Sequence, residues 1–83
     1  MSVTITMYGK LGELIARELA WEVPREGISV ALLRQALADR HPGAREDLLS
    51  PRLRACVGDA VVSDAHRVAD GDAVELLPPV SGG

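Results

Sequence analysis

The sequence predicts an α+β domain in which one main helix lies across a mixed sheet of about five strands. Three observations predict it. Five short segments read as strands, most of them alternating apolar and polar residues. One segment, Val30 to Arg40, carries the three-and-four spacing of an amphipathic helix. The chain has 83 residues, which makes one domain over 1–83 with no internal repeat or linker. A helix with one apolar face and strands with one apolar face each hide those faces together only by stacking in two layers.

Each element can be justified in order. Ser2 to Tyr8 places Val3, Ile5 and Met7 on one face and Ser2, Thr4, Thr6 and Tyr8 on the other, as a half-buried strand requires. Gly9-Lys10 ends the alternation, and Leu11 and Leu14 predict a short helical turn whose leucines cap one end of the core. Arg17 to Val23 alternates again, with Leu19, Trp21 and Val23 together. Glu13 to Ala20 alone would also make a helix, but Trp21, Val23 and the terminating Pro24 favour a strand.

Pro24 to Gly27 is a turn, and Ser29 is a helix N-cap whose hydroxyl can accept a free backbone N–H. In the helix, Val30, Leu33 and Leu37 share the apolar face with Ala36 beside them, while Arg34, Gln35, Asp39 and Arg40 point elsewhere. Arg40 and His41 suit the negative end of the helix dipole, and Pro42-Gly43 stops it. Ala44 to Pro51 reads as loop with one helical turn around Asp47-Leu48-Leu49.

Leu53 to Val57 is the third strand, Gly58-Asp59 a tight turn, Ala60 to Val62 a short fourth strand and Ser63 to Val68 a loop. Asp70-Gly71 is a turn into the last strand, Ala73 to Leu77, with Val74 and Leu76 on one face. Pro78 and Pro79 cannot donate ladder hydrogen bonds, so the strand ends there and residues 79–83 are expected to form a flexible tail. The order strand, strand, helix, strand, strand, strand is that of the ubiquitin-like, or β-grasp, plan. There the first and last strands lie side by side in the centre, so the tail leaves from the middle of the sheet.

Composition narrows the function. A net charge of −3, with eight scattered Arg and one Lys, argues against nucleic acid. Cys56 alone allows no internal disulfide and fits a reducing compartment, no apolar run reaches a membrane span, and the N-terminus lacks a signal-peptide pattern. A cytoplasmic protein is expected. His41, His66 and Cys56 lack metal-ligand spacing, the aspartates sit in turns where backbone reasons suffice, and no glycine-rich phosphate loop precedes the helix. Alternation cannot say which face Cys56 takes. No metal site and no self-contained active site are expected.

The tail offers different chemistry. Gly82 and Gly83 lack Cβ atoms, so the chain can thread a narrow channel and present the Gly83 carboxylate to another enzyme. A carboxylate is a poor electrophile, because its leaving group would be oxide; adenylation cures this, and a sulfur nucleophile can then displace AMP to give a thiocarboxylate.

Leu53-Arg54-Ala55-Cys56-Val57-Gly58-Asp59, Asp70-Gly71-Asp72-Ala73-Val74-Glu75-Leu76-Leu77 and the closing Pro78-Pro79-Val80-Ser81-Gly82-Gly83 resemble the small, sulfur-carrying subunits of molybdopterin synthase. The likeness extends more weakly through Val30-Ala31-Leu32-Leu33-Arg34 to the first strand. Thiamine-pathway sulfur carriers also end in Gly-Gly but usually lack the Pro-Pro-Val approach. Trp21 and the Arg25-Glu26-Gly27 turn depart from the pattern without touching the tail.

The resemblance implies that an adenylating enzyme related to ubiquitin-activating enzymes uses ATP and Mg²⁺ to activate Gly83, with no cofactor bound permanently to this chain. It implies insertion of the tail into the large catalytic subunit, sulfur donation to cyclic pyranopterin monophosphate, and a heterotetramer. General acids and bases would belong to the partner. Leu77, Pro78, Pro79, Val80 and Ser81 are the expected partner contacts, and the outer sheet face is expected to carry Thr4, Thr6, Tyr8, Glu75 and Leu77. The acidic excess would suit a basic mouth on that partner. A thiamine-type carrier and a ubiquitin-like protein modifier are the alternatives.

Overall fold

The computed structural model describes residues 1–79. Strands β1 (Ser2–Met7), β2 (Glu18–Glu22), β4 (Arg54–Val57), β5 (Ala60–Val62) and β7 (Ala73–Leu77) form one sheet in the order β2-β1-β7-β4-β5. A second, two-stranded sheet pairs β3 (Ile28–Ser29) with β6 (Arg67–Val68). Helix α1 (Lys10–Leu14) follows β1, the main helix α2 (Val30–Arg40) follows β3, and a 3-10 turn, Pro42–Ala44, leads into α3 (Arg45–Leu48). This is the β-grasp architecture expected from the element order.

The centre of the sheet is the parallel pair β1 and β7, the chain's first and last strands, with Ile5 opposite Val74 and Met7 opposite Leu76. The neighbouring pairs are antiparallel, setting Ile5 against Leu19 and Leu76 against Ala55. Register therefore places every inward residue beside another inward residue. Val3, Ile5, Met7, Val74 and Leu76 are fully buried and share one core with Val30, Leu33 and Leu37 of α2. Each such side chain contributes about 1.5–3 kcal/mol of burial free energy, which suits a small core built without Phe.

The start of α2 is held by main chain as well as by its cap. Ser29 Oγ accepts from the Leu32 N–H at 3.2 Å. The two N–H groups before it donate outward, Val30 to His66 O at 2.8 Å and Ala31 to Asp64 O at 3.0 Å. The segment expected as loop from Ser63 to Val68 thus pins the helix and ends in β6. Its pairing is main-chain bonding over two residues, too short to leave a period in the sequence.

Three expectations about individual residues are corrected. Leu14 is 45% exposed, so Leu11 alone caps that end of the core. Ala38, rather than Ala36, is the fully buried alanine of α2. Arg34 is buried instead of pointing away. Its Nε donates to Leu48 O at 2.8 Å, one terminal nitrogen to Ser50 O, and the other to Asp64 Oδ1 at 2.9 Å. A guanidinium enters a core when its donors meet fixed acceptors, and no helical period encodes acceptors that lie elsewhere in the chain.

Candidate functional site

The last strand leaves the fold from the sheet's centre. β7 is flanked by β1 and β4 along its length, and at its end Leu77 stands opposite Arg54. The Tyr8 N–H extends the ladder one step beyond β1 by donating to Leu76 O at 3.3 Å. Pro78 is half-buried and Pro79 exposed. Since neither proline can donate to a neighbouring strand, pairing stops where the arm begins.

Gly9 seats that exit. Its φ is +59°, and a Cβ built on it would lie 3.1 Å from Pro78 Cγ. Both the backbone conformation and the proline therefore ask for a residue without a side chain. The sequence marked Gly9 only as the end of an alternation. On the β4 side, Pro51, Arg52 and Arg54 line a groove with Leu77, Pro78 and Pro79.

The outer face of the sheet carries Thr4, Thr6, Tyr8, Glu75 and Leu77, in agreement with the alternation. Tyr8 directly follows β1 and Glu75 lies on the adjacent β7, and the Tyr8 hydroxyl donates to Glu75 Oε2 at 2.8 Å. That bond raises the Tyr8 phenol above its ordinary value, with desolvation and the Glu75 charge acting in the same sense and Arg17 opposing them. Leu77 is half-buried on this face. Val61, opposite Cys56 in the β4–β5 ladder, is 68% exposed and adds an apolar contact that the sequence reading did not single out.

Cys56 sits opposite Glu75, on the outer side and apart from the main core, and is 8% exposed. His41 caps the C-terminus of α2, and His66 is exposed in the loop before β6. Among the described residues, no three of His, Cys, Asp and Glu are grouped as a metal site would need, and no helix is long and apolar enough to cross a membrane. A surface depression of about 710 Å³ is a shallow opening lined by Pro42, Arg45, Glu46, Leu49, Ser50 and Pro51. What this arrangement provides is a central strand, paired on both sides, whose ladder stops at two prolines.

Of the residues predicted to work, Leu77, Pro78 and Pro79 come together at the arm's root. Val80, Ser81, Gly82 and Gly83 lie outside the described residues, and with them the expected flexible tail beyond Pro79.

Comparison with known proteins agrees with this geometry. The ThiS family profile matches residues 5–83. The chain is 36% identical over 84 aligned positions to the molybdopterin synthase sulfur carrier subunit of Escherichia coli, covering 98% of this chain and 99% of that one. Its fold matches the putative molybdopterin converting factor subunit 1 of Pyrococcus furiosus with a TM-score of 0.82 at 25% identity, over 96% of this chain and 99% of the other. It also matches a chain in the complex of subunits 1 and 2 of the molybdopterin-converting factor of Helicobacter pylori, with a TM-score of 0.66 at 21% identity over the whole of both chains. The chain belongs to the ThiS family of β-grasp proteins, and within it is similar from end to end to the sulfur carrier subunit of molybdopterin synthase.

Proposed function

We propose that this chain carries sulfur for molybdenum cofactor synthesis on the carboxylate of Gly83. The observation that carries the reading is a last strand paired on both sides at the centre of the sheet and running into Pro78 and Pro79, in a chain that a sulfur carrier subunit matches over 98% of its length. A strand paired on both sides is a fixed mount, and prolines after it direct the chain outward without adding donors that would fold it back.

The chemistry runs in two stages. The Gly83 carboxylate attacks the α-phosphorus of ATP on an adenylating enzyme, forming an acyl-adenylate and releasing pyrophosphate. Hydrosulfide then attacks the acyl carbon, the bond to AMP oxygen breaks, and the thiocarboxylate remains. Mg²⁺ and ATP belong to that enzyme, and this chain holds no cofactor of its own. In the second stage the thiocarboxylate sulfur forms a C–S bond to cyclic pyranopterin monophosphate within the large subunit of molybdopterin synthase, as a C–O bond at that carbon breaks and its oxygen leaves as water. Water cleaves the acyl–sulfur link, leaving sulfur on the pterin and restoring the carboxylate.

The complex of the two Helicobacter pylori subunits supports a large-subunit partner, and a heterotetramer is the proposed assembly. The outer face around Leu77 and the root at Pro78 and Pro79, continuing through Val80, Ser81 and Gly82, would meet it. Because the steps need cellular ATP and a pterin precursor, the proposed location is the cytoplasm.

The test is intact-mass analysis after incubation with the activating enzyme, ATP and sulfide. One terminal oxygen should be replaced by sulfur, and removal of Gly83 should abolish this without changing the circular dichroism spectrum. Sulfur transfer by the truncated chain would refute the reading. A ladder of conjugates on a denaturing gel would instead make the chain a protein modifier, and rescue of thiamine synthesis alone would make it a carrier for that pathway.

A further inference from the structure

We propose that Arg52 and Arg54 form a cationic docking element at the arm's root that engages an acidic rim around the channel of the large subunit. This rests on the function proposed above and names what holds the carrier in place while the arm is inserted.

Charge in this chain is unevenly placed. The net charge is −3, yet the acidic excess does not surround the arm. Glu22 pairs with Ser2 at the start of β1, Asp59 follows β4 where Val57 meets Val74, and Asp70 and Asp72 precede β7. All four sit at the end of the sheet opposite the exit. At the exit, Arg54 stands against Leu77, and Arg52 shares the groove with it.

Several acids nearer the exit are already engaged, while Glu13, Glu18 and Glu46 are exposed there without a side-chain bond among the described residues. Glu75 holds the Tyr8 hydroxyl, Asp47 lies 3.4 Å from Lys10, and Asp64 and Asp39 pair with Arg34 and Arg45. Arg52 and Arg54 are both exposed, and their side chains make no hydrogen bond or ion pair among the described residues. They are the cations that line the groove at the arm's root without an acid partner among the described residues.

The rest of the groove selects the kind of partner. Pro51, Pro78 and Pro79 supply apolar surface and no N–H groups, so the groove lacks the converging backbone donors of a phosphate cradle. Two guanidinium forks over apolar ground match carboxylates on a protein surface, with charged hydrogen bonds at the rim and the arginine stems and prolines in contact beneath. A basic mouth, which the net charge alone would suit, would meet these two arginines first and be repelled.

The experiment is calorimetric titration of the chain into the large subunit of molybdopterin synthase at low and high salt. Reversing both charges, R52E/R54E, should weaken binding about tenfold at low salt, because rim charges act through steering and screened attraction. The difference should largely vanish at high salt. R25E, at the turn beyond β2 on the far side of the sheet, should stay within about twofold of wild type under the same screening argument. If R52E/R54E unfolds, R52Q/R54Q should give the same direction with a smaller loss, and R52K/R54K should restore part of the affinity, since the charge returns without the fork.

Unchanged or tighter binding by folded R52E/R54E overturns the inference and leaves the proposed function standing. Pyrophosphate alone binding the wild-type chain, with loss in R52Q/R54Q, would make this a phosphate site and also overturns it. Failure of the wild-type chain to bind the large subunit overturns the function and the docking element together.

Discussion

Replacing Arg34 with Met tests whether the loop beside the arm is held by a buried cation. Met keeps an unbranched stem but removes every donor, while Arg34 as found has a side chain only 9% exposed. Loss of the Nε bond strands Leu48 O, in a buried contact, and costs about 1.5–3 kcal/mol. Ser50 O is partly exposed and can recover water, so its loss adds about 1 kcal/mol. Asp64 is 60% exposed, and its ion pair contributes at most about 1 kcal/mol after solvent screening. The variant should therefore lose about 3–4 kcal/mol, against a stability of about 4–12 kcal/mol for a domain of this size.

In urea unfolding, with a slope of about 1 kcal/mol per molar, the midpoint should fall by about 3 M. Asp64→Asn, which breaks only the exposed pair, should move it by less than about 1 M. A loss below about 1 kcal/mol in Arg34→Met, or an equal loss in Asp64→Asn, would refute the assignment of stability to the carbonyl acceptors. Ser50 directly precedes Pro51 and Arg52, so the same bonds position one wall of the groove at the arm's root.

Two further perturbations read other parts of the fold. Gly27 has φ +85°, and a Cβ there would lie 2.7 Å from Val68 O of β6, so Gly27→Ala must distort backbone. The expected cost is about 2–3 kcal/mol, a fall in melting temperature of about 10–20 °C, whereas Gly43→Ala should shift it by only a few degrees. Gly43 meets nothing within 4 Å, and equal effects at the two sites would refute the steric argument. Tyr8 is the sole tyrosine, so phenolate absorbance follows it alone, with a midpoint above the ordinary value of about 10. The folded state holds this proton more tightly than the unfolded chain, so the stabilisation is complete below about pH 10 and disappears as pH rises through the folded value. Glu75→Gln should lower the midpoint, and an unchanged titration would show that the hydrogen bond is not its cause.

Much of the candidate site was legible because it is punctuation. Pro78 and Pro79 end a strand in any context, for want of an N–H, and β7 does end at Leu77. Gly9 was harder to read. Its positive φ ends β1, but its contact with Pro78 joins residues from opposite ends of the chain. Val61 belongs to a short apolar run, and only the pairing of β5 with β4 turns it outward on the face that holds Cys56 and Leu77.

By itself, the sequence determined the periods and stops: the alternation of β1 and β7, the Ser29 cap, the span of α2 and the turns between strands. These are local, because period and capping act over a few residues. Tertiary structure decided what depends on distant atoms. It buried Arg34 against carbonyls of a later loop, tied the start of α2 to Asp64 and His66, and separated the acidic end of the sheet from the arginines at the arm's root. A charge or a donor has no period, and its role is fixed only when folding brings its partner within reach.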